Sequence, residues 1–184
     1  MNYEEKTILL KNGKHARFRA PREADAEAML DFIRRAVRET DFLALTPAET
    51  DAYTVETEAD FLRGPIHSPH QMMIVAEVDG VIAGNCQLMF LESEKTRHRA
   101  VVMIGLLREF WGLGIGSAMF AEMERVARKR GGIRQLELEV IEGNERAIGL
   151  YRKMGFAVMA EHPDAFRLSD GSRHAAIFMR KVLE

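Results

Sequence analysis

The pattern of apolar and polar positions divides the chain into strands and helices. Two apolar runs, 71–78 and 81–91, meet at Asp79-Gly80, a pair that favours a two-residue hairpin turn. Apolar residues at helical spacing predict helices over 21–38, 54–62, 115–130 and 145–154. Shorter apolar or alternating runs predict further strands over 15–20, 100–107, 135–141, 156–160 and 175–182. The expected fold class is α/β (α+β), with a mixed, mostly antiparallel central sheet flanked by helices.

One segment in the middle of the chain combines a strand, a glycine-rich turn and a helix. The apolar run Ala100–Leu107 is typical of a strand buried on both faces. Glycines follow at Gly112, Gly114 and Gly116, and a helical pattern begins directly after them. The first amides of a helix have no acceptor within the helix and carry partial positive charge. Because glycines let the backbone approach an anion and Ser117 adds a hydroxyl donor, this turn is a candidate phosphate site.

Two common phosphate motifs do not account for this turn, which we call the glycine loop (residues 112–117). A P-loop requires a lysine after its last glycine, but Ser117 follows Gly116. A dinucleotide-binding fingerprint requires Gly-x-Gly-x-x-Gly, and Ser117 stands at the third glycine position counted from Gly112. A glycine-rich turn that serves only close packing is the structural alternative.

The sequence Trp111-Gly-Leu-Gly-Ile-Gly-Ser117 resembles the Arg/Gln-x-x-Gly-x-Gly/Ala loop with which the GNAT superfamily of N-acyltransferases binds acyl-CoA. Trp111 stands where Arg or Gln is usual in that family, which removes one donor near the pyrophosphate. The resemblance implies an acyl-CoA N-acyltransferase fold with acetyl-CoA as the acyl donor. It also implies cofactor contacts by the loop residues Gly112, Leu113, Gly114, Ile115, Gly116 and Ser117.

A second segment resembles another part of the same family. It reads Asn144-x-x-Ala147-x-x-Leu150-Tyr151-x-Lys153-x-Gly155-Phe156. In the family, this Asn contacts the pantetheine arm and this Tyr lies near the thioester sulfur. The resemblance therefore implies that Asn144 and Tyr151 bind the cofactor and that Tyr151 is the proton donor to the CoA thiolate. Taken alone, the segment would also fit an ordinary amphipathic helix with a capping Asn.

Acetyl transfer to an amine makes three chemical demands on a site. The carbonyl oxygen must be stabilised as charge develops, the amine must lose a proton, and the thiolate benefits from a donor. By resemblance, the oxyanion partner is a main-chain amide at Leu106 or Leu107, where the central strand leads into the glycine loop. These two residues are therefore included among the cofactor-binding residues.

The sequence leaves the general base open, because the run 101–107 contains no ionisable side chain. Glu139 on the neighbouring strand is the candidate that we assign as catalytic beside Tyr151, and Glu109 next to the glycine loop is the alternative. His98 is set aside, since eight strand residues at ~3.3 Å each separate it from the end of the strand.

Length and composition limit the remaining possibilities. The 184 residues, 47% of them apolar, fit a single domain spanning 1–184. A net charge of −2 argues against nucleic acid as a partner. No apolar run approaches the ~18 residues needed to span a bilayer, so we expect a cytoplasmic protein without a membrane partner. The single cysteine, Cys86, is expected to be a buried apolar side chain, no metal site is predicted, and both a monomer and a homodimer remain open.

The segment Glu39–Asp60 contains seven acidic residues and no Lys or Arg. By resemblance, it covers the acceptor side of the cleft, and an acidic surface attracts cations. We therefore expect the acceptor to be a primary amine with more than one positive charge, such as a polyamine, an aminoglycoside-like amine or a basic peptide terminus. A solvated acidic surface without a role in recognition is the alternative.

The expected function is that of an N-acetyltransferase, which transfers acetyl from acetyl-CoA to a primary amine of a small molecule or peptide. The alternative is a module that binds or senses acyl-CoA without turnover, because the central strand lacks a carboxylate.

Overall fold

The described chain, residues 3–183 of a computed structural model, alternates between strands and helices. The strands are β1 (Lys6–Leu9), β2 (His15–Arg19), β3 (Gln71–Val78), β4 (Val81–Phe90), β5 (Arg99–Leu106), β6 (Gln135–Ile141), β7 (Ala157–Arg167) and β8 (Arg173–Val182). The α-helices are α1 (Ala26–Glu39), α2 (Pro47–Asp51), α3 (Val55–His67), α4 (Ile115–Arg130) and α5 (Glu145–Lys153). Short 3-10 helices span Glu23–Asp25 and Arg108–Phe110. None of the described helices is long and apolar enough to cross a membrane.

The described strands form one mixed sheet in the order β1-β2-β3-β4-β5-β6-β8-β7. The pair β5–β6 is parallel, because α4 carries the chain back along the sheet between these two strands. The other neighbouring pairs are antiparallel. This topology confirms the predicted fold class.

Strands β5 and β6 pair over a short distance and then separate. Their register joins Arg99–Val101 to Gln135–Glu137, whereas β5 continues to Leu106 and β6 to Ile141. Beyond the paired residues, both strands contribute to the wall of one cleft. The separation of two central strands thus creates a site in the middle of the sheet.

Helices cover both faces of the sheet. On one face, Phe32 of α1 and Leu62 of α3 pack with Val75 of β3. On the other face, Met119 of α4 belongs to a larger cluster that includes Ile74 of β3. Neighbouring positions of β3 point to opposite faces, so this strand is buried from both sides.

Several predicted elements have the observed bounds. Strands β3 and β6 and helix α4 extend over the predicted residues. Asp79 and Gly80 have φ angles of 50° and 81°, and positive φ at both central positions is what a type I′ hairpin turn requires. The predictions of this hairpin and of the strand, glycine loop and helix order are confirmed.

Other predictions were wrong in extent. The helix predicted over 54–62 continues to His67 and includes Pro65 in its last turn. Pro65 has no N–H to donate within the helix, and the helix ends two residues later. Helix α2 was not predicted, although Thr46 and Glu49 form a capping box that the sequence already contains. Strand β5 is not buried on both faces, since Met103 is 42% exposed and lines the cleft.

Candidate active site

The cleft between β5 and β6 is a cavity of about 940 Å³. Both strands line it, together with α5 from Glu145 to Tyr151 and the glycine loop, except that Leu113 is outside the lining. The segment 40–45, between α1 and α2, and Phe166 of β7 also contribute to its wall. The strands, the glycine loop and α5, which the sequence linked only through a resemblance, therefore surround one space.

The glycine loop ends in a helix terminus that no side chain caps. Gly112 and Gly114 have φ angles of 78° and 99°, in the region that favours glycine, and Gly114 is the N-cap of α4. Helices α2, α3 and α5 are capped by the side chains of Thr46, Thr54 and Asn144, whereas Gly114 offers no side-chain acceptor. The first amides of α4 are thus available to an anion.

Gly116 has a packing role. A Cβ at this position would lie 2.9 Å from Cδ2 of Leu150 and 3.4 Å from Cδ1 of Leu106. The absence of a side chain therefore lets α4 approach α5 and the end of β5. Close packing accounts for Gly116, and backbone conformation accounts for Gly112 and Gly114. The packing explanation thus applies to one glycine of the loop, and the phosphate site stays a prediction.

The structure separates the two predicted oxyanion partners. The amide of Leu107 donates a 3.0 Å hydrogen bond to the carbonyl oxygen of Ala83, and Leu107 is fully buried. Since successive amides of a strand point in opposite directions, the N–H of Leu106 points away from β4, towards the side where β6 has separated. Leu106 lines the cleft and Leu107 does not. Leu106 is therefore the residue whose amide can face a ligand.

Tyr151 reaches the cleft from α5 with most of its ring buried. Its ring centroid lies 5.4 Å from that of Phe120 and 6.3 Å from that of Phe156, so aromatic packing holds its orientation. Burial raises the pKa of Tyr151 to about 12. Within residues 3–183, its hydroxyl has no hydrogen-bond partner. The hydroxyl is therefore protonated at neutral pH and available to a ligand.

The side-chain amide of Asn144 caps a helix through its oxygen and can donate to a ligand through its nitrogen. Its Oδ1 accepts a 3.3 Å hydrogen bond from the amide of Ala147 and caps α5. The prediction that Asn144 caps this helix is therefore confirmed. Asn144 also lines the cleft, where its amide nitrogen remains a donor.

The three side chains considered as the general base lie in different environments. Glu139 of β6 is exposed within the cleft lining. Glu109 is outside the lining and accepts a 2.7 Å hydrogen bond from Arg35. His98 lies just before β5, at the end of the strand opposite Leu106, where its carbonyl oxygen binds the amide of Arg134. Of these three side chains, only Glu139 faces the cleft.

The acidic segment 39–60 presents apolar residues, not carboxylates, to the cleft. None of its seven acidic residues is part of the described lining. Asp51 and Asp60 bind Arg38 and Arg63, and Glu58 is buried, which raises the pKa of its carboxyl group. The residues that this segment contributes to the wall are Thr40, Phe42, Leu43, Ala44 and Leu45.

Three cationic residues of the cleft were not identified from the sequence. Lys11, Arg108 and Arg146 line the end formed by the glycine loop. Lys11 comes from the β1–β2 turn, whose position against the loop only the tertiary fold reveals. Arg146 carried a sequence signal, because a cation in the first turn of a helix opposes the helix dipole.

Comparison with known proteins agrees with this geometry. Residues 33–156 match the model of the acetyltransferase (GNAT) family. The chain therefore belongs to the GNAT acetyltransferase family. It is an N-acetyltransferase with acetyl-CoA as its acyl donor.

Individual relatives are similar over much of the fold. A GNAT acetyltransferase from Streptococcus pneumoniae superposes with a TM-score of 0.84 at 27% identity, covering 91% of this chain and 99% of that one. A 5-NmdU N-acetyltransferase of Pseudomonas phage PaMx11 is 30% identical over 139 residues, 70% of this chain and 89% of the relative. A spermidine N(1)-acetyltransferase of Escherichia coli is 30% identical over 125 residues, 64% of each chain.

A ribosomal protein bS18-alanine N-acetyltransferase of Bacillus subtilis is 27% identical over 99 residues, which are 54% of this chain. The match spans 62% of the length of that relative.

Proposed function

We propose that the chain transfers the acetyl group of acetyl-CoA to a primary amine in the cleft between β5 and β6. The observation that carries this proposal is the convergence of three groups on one cavity. They are the uncapped amides at the start of α4, the outward N–H of Leu106 and the unpartnered hydroxyl of Tyr151. The α4 amides can bind the phosphates of the cofactor, the N–H of Leu106 can stabilise the oxyanion, and the hydroxyl of Tyr151 can donate to the leaving thiolate.

Acetyl-CoA binds with its pyrophosphate on the amides of the glycine loop. Its pantetheine arm extends between the separated strands, where the amide nitrogen of Asn144 can donate to it. The acetyl carbonyl oxygen then accepts from the N–H of Leu106. This amide is fixed by its strand, so it stabilises the developing oxyanion without reorganising.

The reaction forms one C–N bond and breaks one C–S bond. The neutral amine attacks the carbonyl carbon, its proton leaves to a base, and the tetrahedral intermediate expels the CoA thiolate. The hydroxyl of Tyr151 donates a hydrogen bond to this sulfur. Because a thiol has a pKa near 8.5 and Tyr151 one of about 12, the phenol stabilises the thiolate mainly as a hydrogen-bond donor. The base passes the amine proton to solvent, and the CoA thiolate takes up one proton from solvent to become the thiol. The numbers of protons released and taken up are therefore equal.

Glu139 is the proposed general base. It is exposed in the cleft and projects from the strand that faces β5. Its carboxylate can take the amine proton directly or through one water molecule. Glu109, the alternative from the sequence, is held by Arg35 and lies outside the lining, which favours Glu139.

The lining of the cleft favours an amine attached to an apolar group. Ile33, Phe42, Leu43, Leu45 and Phe166 contribute apolar surface to the wall of the cavity. Burial of apolar surface stabilises binding by roughly 25 cal/mol per Å². We therefore propose an acceptor whose carbon skeleton packs on this wall while its amine points towards Glu139.

A polycationic acceptor is the second candidate, and one relative favours it. The spermidine N(1)-acetyltransferase shares 30% identity over 125 residues with this chain. Against it stands the finding that carboxylates of segment 39–60 are engaged elsewhere, so within the described lining only Glu139 and Glu145 are acidic. The two acceptor classes differ in the interaction that holds the substrate, and salt dependence separates them.

The proposed function is tested by the release of free thiol from acetyl-CoA in the presence of an amine panel. The panel contains phenethylamine, spermidine and a peptide with a free N-terminus, and mass spectrometry identifies the acetylated product. We expect thiol release above the hydrolysis background for at least one amine. Cofactor binding without turnover of any amine would instead favour the acyl-CoA sensing module.

A further inference from the structure

The cationic side chains of the cleft cluster around the glycine loop. The amide of Lys11 donates a 3.1 Å hydrogen bond to the carbonyl oxygen of Leu113, which places the β1–β2 turn against the loop. Arg108 and Arg146 both lie over the ring of Trp111, with their guanidinium carbons 5.5 and 4.7 Å from its centroid. Three cationic residues thus lie near the glycine loop in addition to the free amides of α4.

The position of Arg146 is unfavourable for the stability of its own helix. It is the second residue of α5, where the helix dipole repels a cation. Within residues 3–183, its guanidinium forms no ion pair or hydrogen bond, and its contact is the Trp111 ring. By contrast, the side chain of Arg108 donates to the main-chain oxygen of Glu39. Helix stability therefore does not favour a cation at this position, and the guanidinium is exposed beside the glycine loop, where it can reach a ligand.

Trp111 holds this guanidinium beside the glycine loop. Its Nε1 donates a 2.8 Å hydrogen bond to the carbonyl oxygen of Leu106, which fixes the indole at the end of β5. Nη2 of Arg146 lies 3.8 Å from the position that a Cβ on Gly112 would occupy. The guanidinium is therefore adjacent to the first residue of the loop.

We propose that Arg146 binds the pyrophosphate of acetyl-CoA, together with the amides of the glycine loop, and that Trp111 positions it. The pair supplies from α5 the donor that is missing at position 111, where the resembling motif has Arg or Gln. A guanidinium offers several N–H donors to phosphate oxygens, and such charge-assisted hydrogen bonds are stronger than neutral ones. This inference rests on the proposed binding of acetyl-CoA at the glycine loop.

Calorimetric titration of the intact chain with CoA and with 3′-dephospho-CoA tests the assignment. The variants are Arg146→Gln and, as a control with the same change in net charge on the same helix, Arg152→Gln. We expect Arg146→Gln to raise the Kd of both ligands by a similar factor, about 10- to 100-fold, the range of a hydrogen bond to a charged group. Arg152→Gln should bind both ligands within about twofold of the wild type, because Arg152 is outside the cleft lining.

Each other outcome overturns a defined statement. Equal affinities of the two variants would remove Arg146 from the site. If Arg146→Gln raised the Kd of CoA but not that of 3′-dephospho-CoA, Arg146 would bind the 3′-phosphate, and the pyrophosphate assignment would be wrong. Failure of the wild type to bind CoA would count against the proposed function itself. The melting temperature of ligand-free Arg146→Gln should be unchanged or higher, whereas a structural role of Arg146 predicts a decrease.

A double-mutant cycle tests the positioning role of Trp111. Trp111→Leu removes the ring over which Arg146 lies, and Trp111→Phe keeps an aromatic face but loses the Nε1 donor. We expect Trp111→Leu to raise the Kd of CoA in the wild-type background and to add little in the Arg146→Gln background. Trp111→Phe should have the smaller effect. Fully additive penalties would show that Trp111 does not act through Arg146.

Discussion

The indole Nε1 of Trp111 donates a 2.8 Å hydrogen bond to the carbonyl oxygen of Leu106. The N–H of the same Leu106 points into the cleft, because the neighbouring amide of Leu107 is bound to Ala83. The residue proposed to hold the acetyl oxygen is thus tied directly to the start of the glycine loop. This bond links the end of β5 to the glycine loop, so in the proposed binding mode a phosphate at the loop and a thioester at Leu106 would be positioned together.

The phosphate role of the glycine loop can be tested at Ser117 without backbone strain. Ser117→Asp places a negative charge at the third residue of α4, where the helix dipole favours it, but it repels a pyrophosphate. We expect the melting temperature to be unchanged or raised and the affinity for CoA to fall about 100-fold or more. Ser117→Asn, of the same size but neutral, is the control and should lose far less. Retained CoA affinity in a folded Ser117→Asp variant would place the pyrophosphate elsewhere.

Tyr151→Phe separates the hydroxyl from the ring. The ring contacts with Phe120 and Phe156 are preserved, so binding of acetyl-CoA should change little. Loss of the donor to the leaving sulfur should lower kcat by about 100-fold. Steady-state kinetics together with calorimetric Kd values measure the two effects. A variant with the wild-type kcat would leave Tyr151 with a packing role alone.

The raised pKa of Tyr151 predicts a specific alkaline instability. Free tyrosine titrates near pH 10, whereas Tyr151 in the folded chain has a pKa of about 12. The folded state therefore retains a proton that the unfolded state loses, and its stability should decrease as pH rises from about 10 to 12. The two-unit difference corresponds to about 2–3 kcal/mol. Denaturant unfolding at pH 9 and pH 11.5 should show a smaller decrease for Tyr151→Phe than for the wild type, and equal decreases would contradict the assignment.

The base assignment predicts different consequences for two carboxylates. Glu139→Gln keeps the shape of the side chain but cannot accept a proton, so kcat/KM should fall about 100-fold. The fall should be smaller at high pH, where more of the amine is already neutral. Glu109→Gln is the matched control and should be near wild type, since Glu109 faces Arg35 outside the cleft. The reverse pattern of activity would move the base to Glu109.

Acceptor preference should follow the apolar wall. Leu45→Ala removes part of this wall and should raise KM for an apolar amine such as phenethylamine several-fold, with little change for acetyl-CoA. Asp51→Asn removes a carboxylate of segment 39–60 outside the cleft and serves as the control. Salt should leave KM for the apolar amine nearly unchanged. A steep rise in KM for spermidine with ionic strength, together with a preference for spermidine, would favour the polycationic acceptor instead.

The glycine loop illustrates what local pattern can predict. The order of strand, glycines and helix was evident because each part depends on short-range properties: apolar runs, backbone freedom and helical periodicity. The capping Asn144 and the hairpin at Asp79-Gly80 follow from the same local rules. The sequence also contains the capping box of Thr46 and Glu49 that begins α2, so this helix has a local signal as well.

The acidic segment illustrates the limit of such reasoning. Counting charges in residues 39–60 predicted an anionic wall, but charge partners came from outside the segment, for example Arg38 for Asp51 and Arg63 for Asp60. The side chains that face the cleft are the apolar ones between the acids. Which residues of a connection face a cavity depends on how it packs, and that packing involves residues distant in sequence.

By itself, the sequence determined the mixed fold, the glycine loop and the capped α5, and it predicted Tyr151 as a site residue, because these depend on periodicity and on motifs within single segments. The tertiary structure decided which amide of the Leu106-Leu107 pair is free, which carboxylate faces the cleft and which cations surround the loop. These outcomes depend on hydrogen bonds and packing between β4 and β5, between β5 and β6, and between Trp111 and α5. No short-range pattern records such contacts, since each joins residues whose proximity arises only when the sheet assembles.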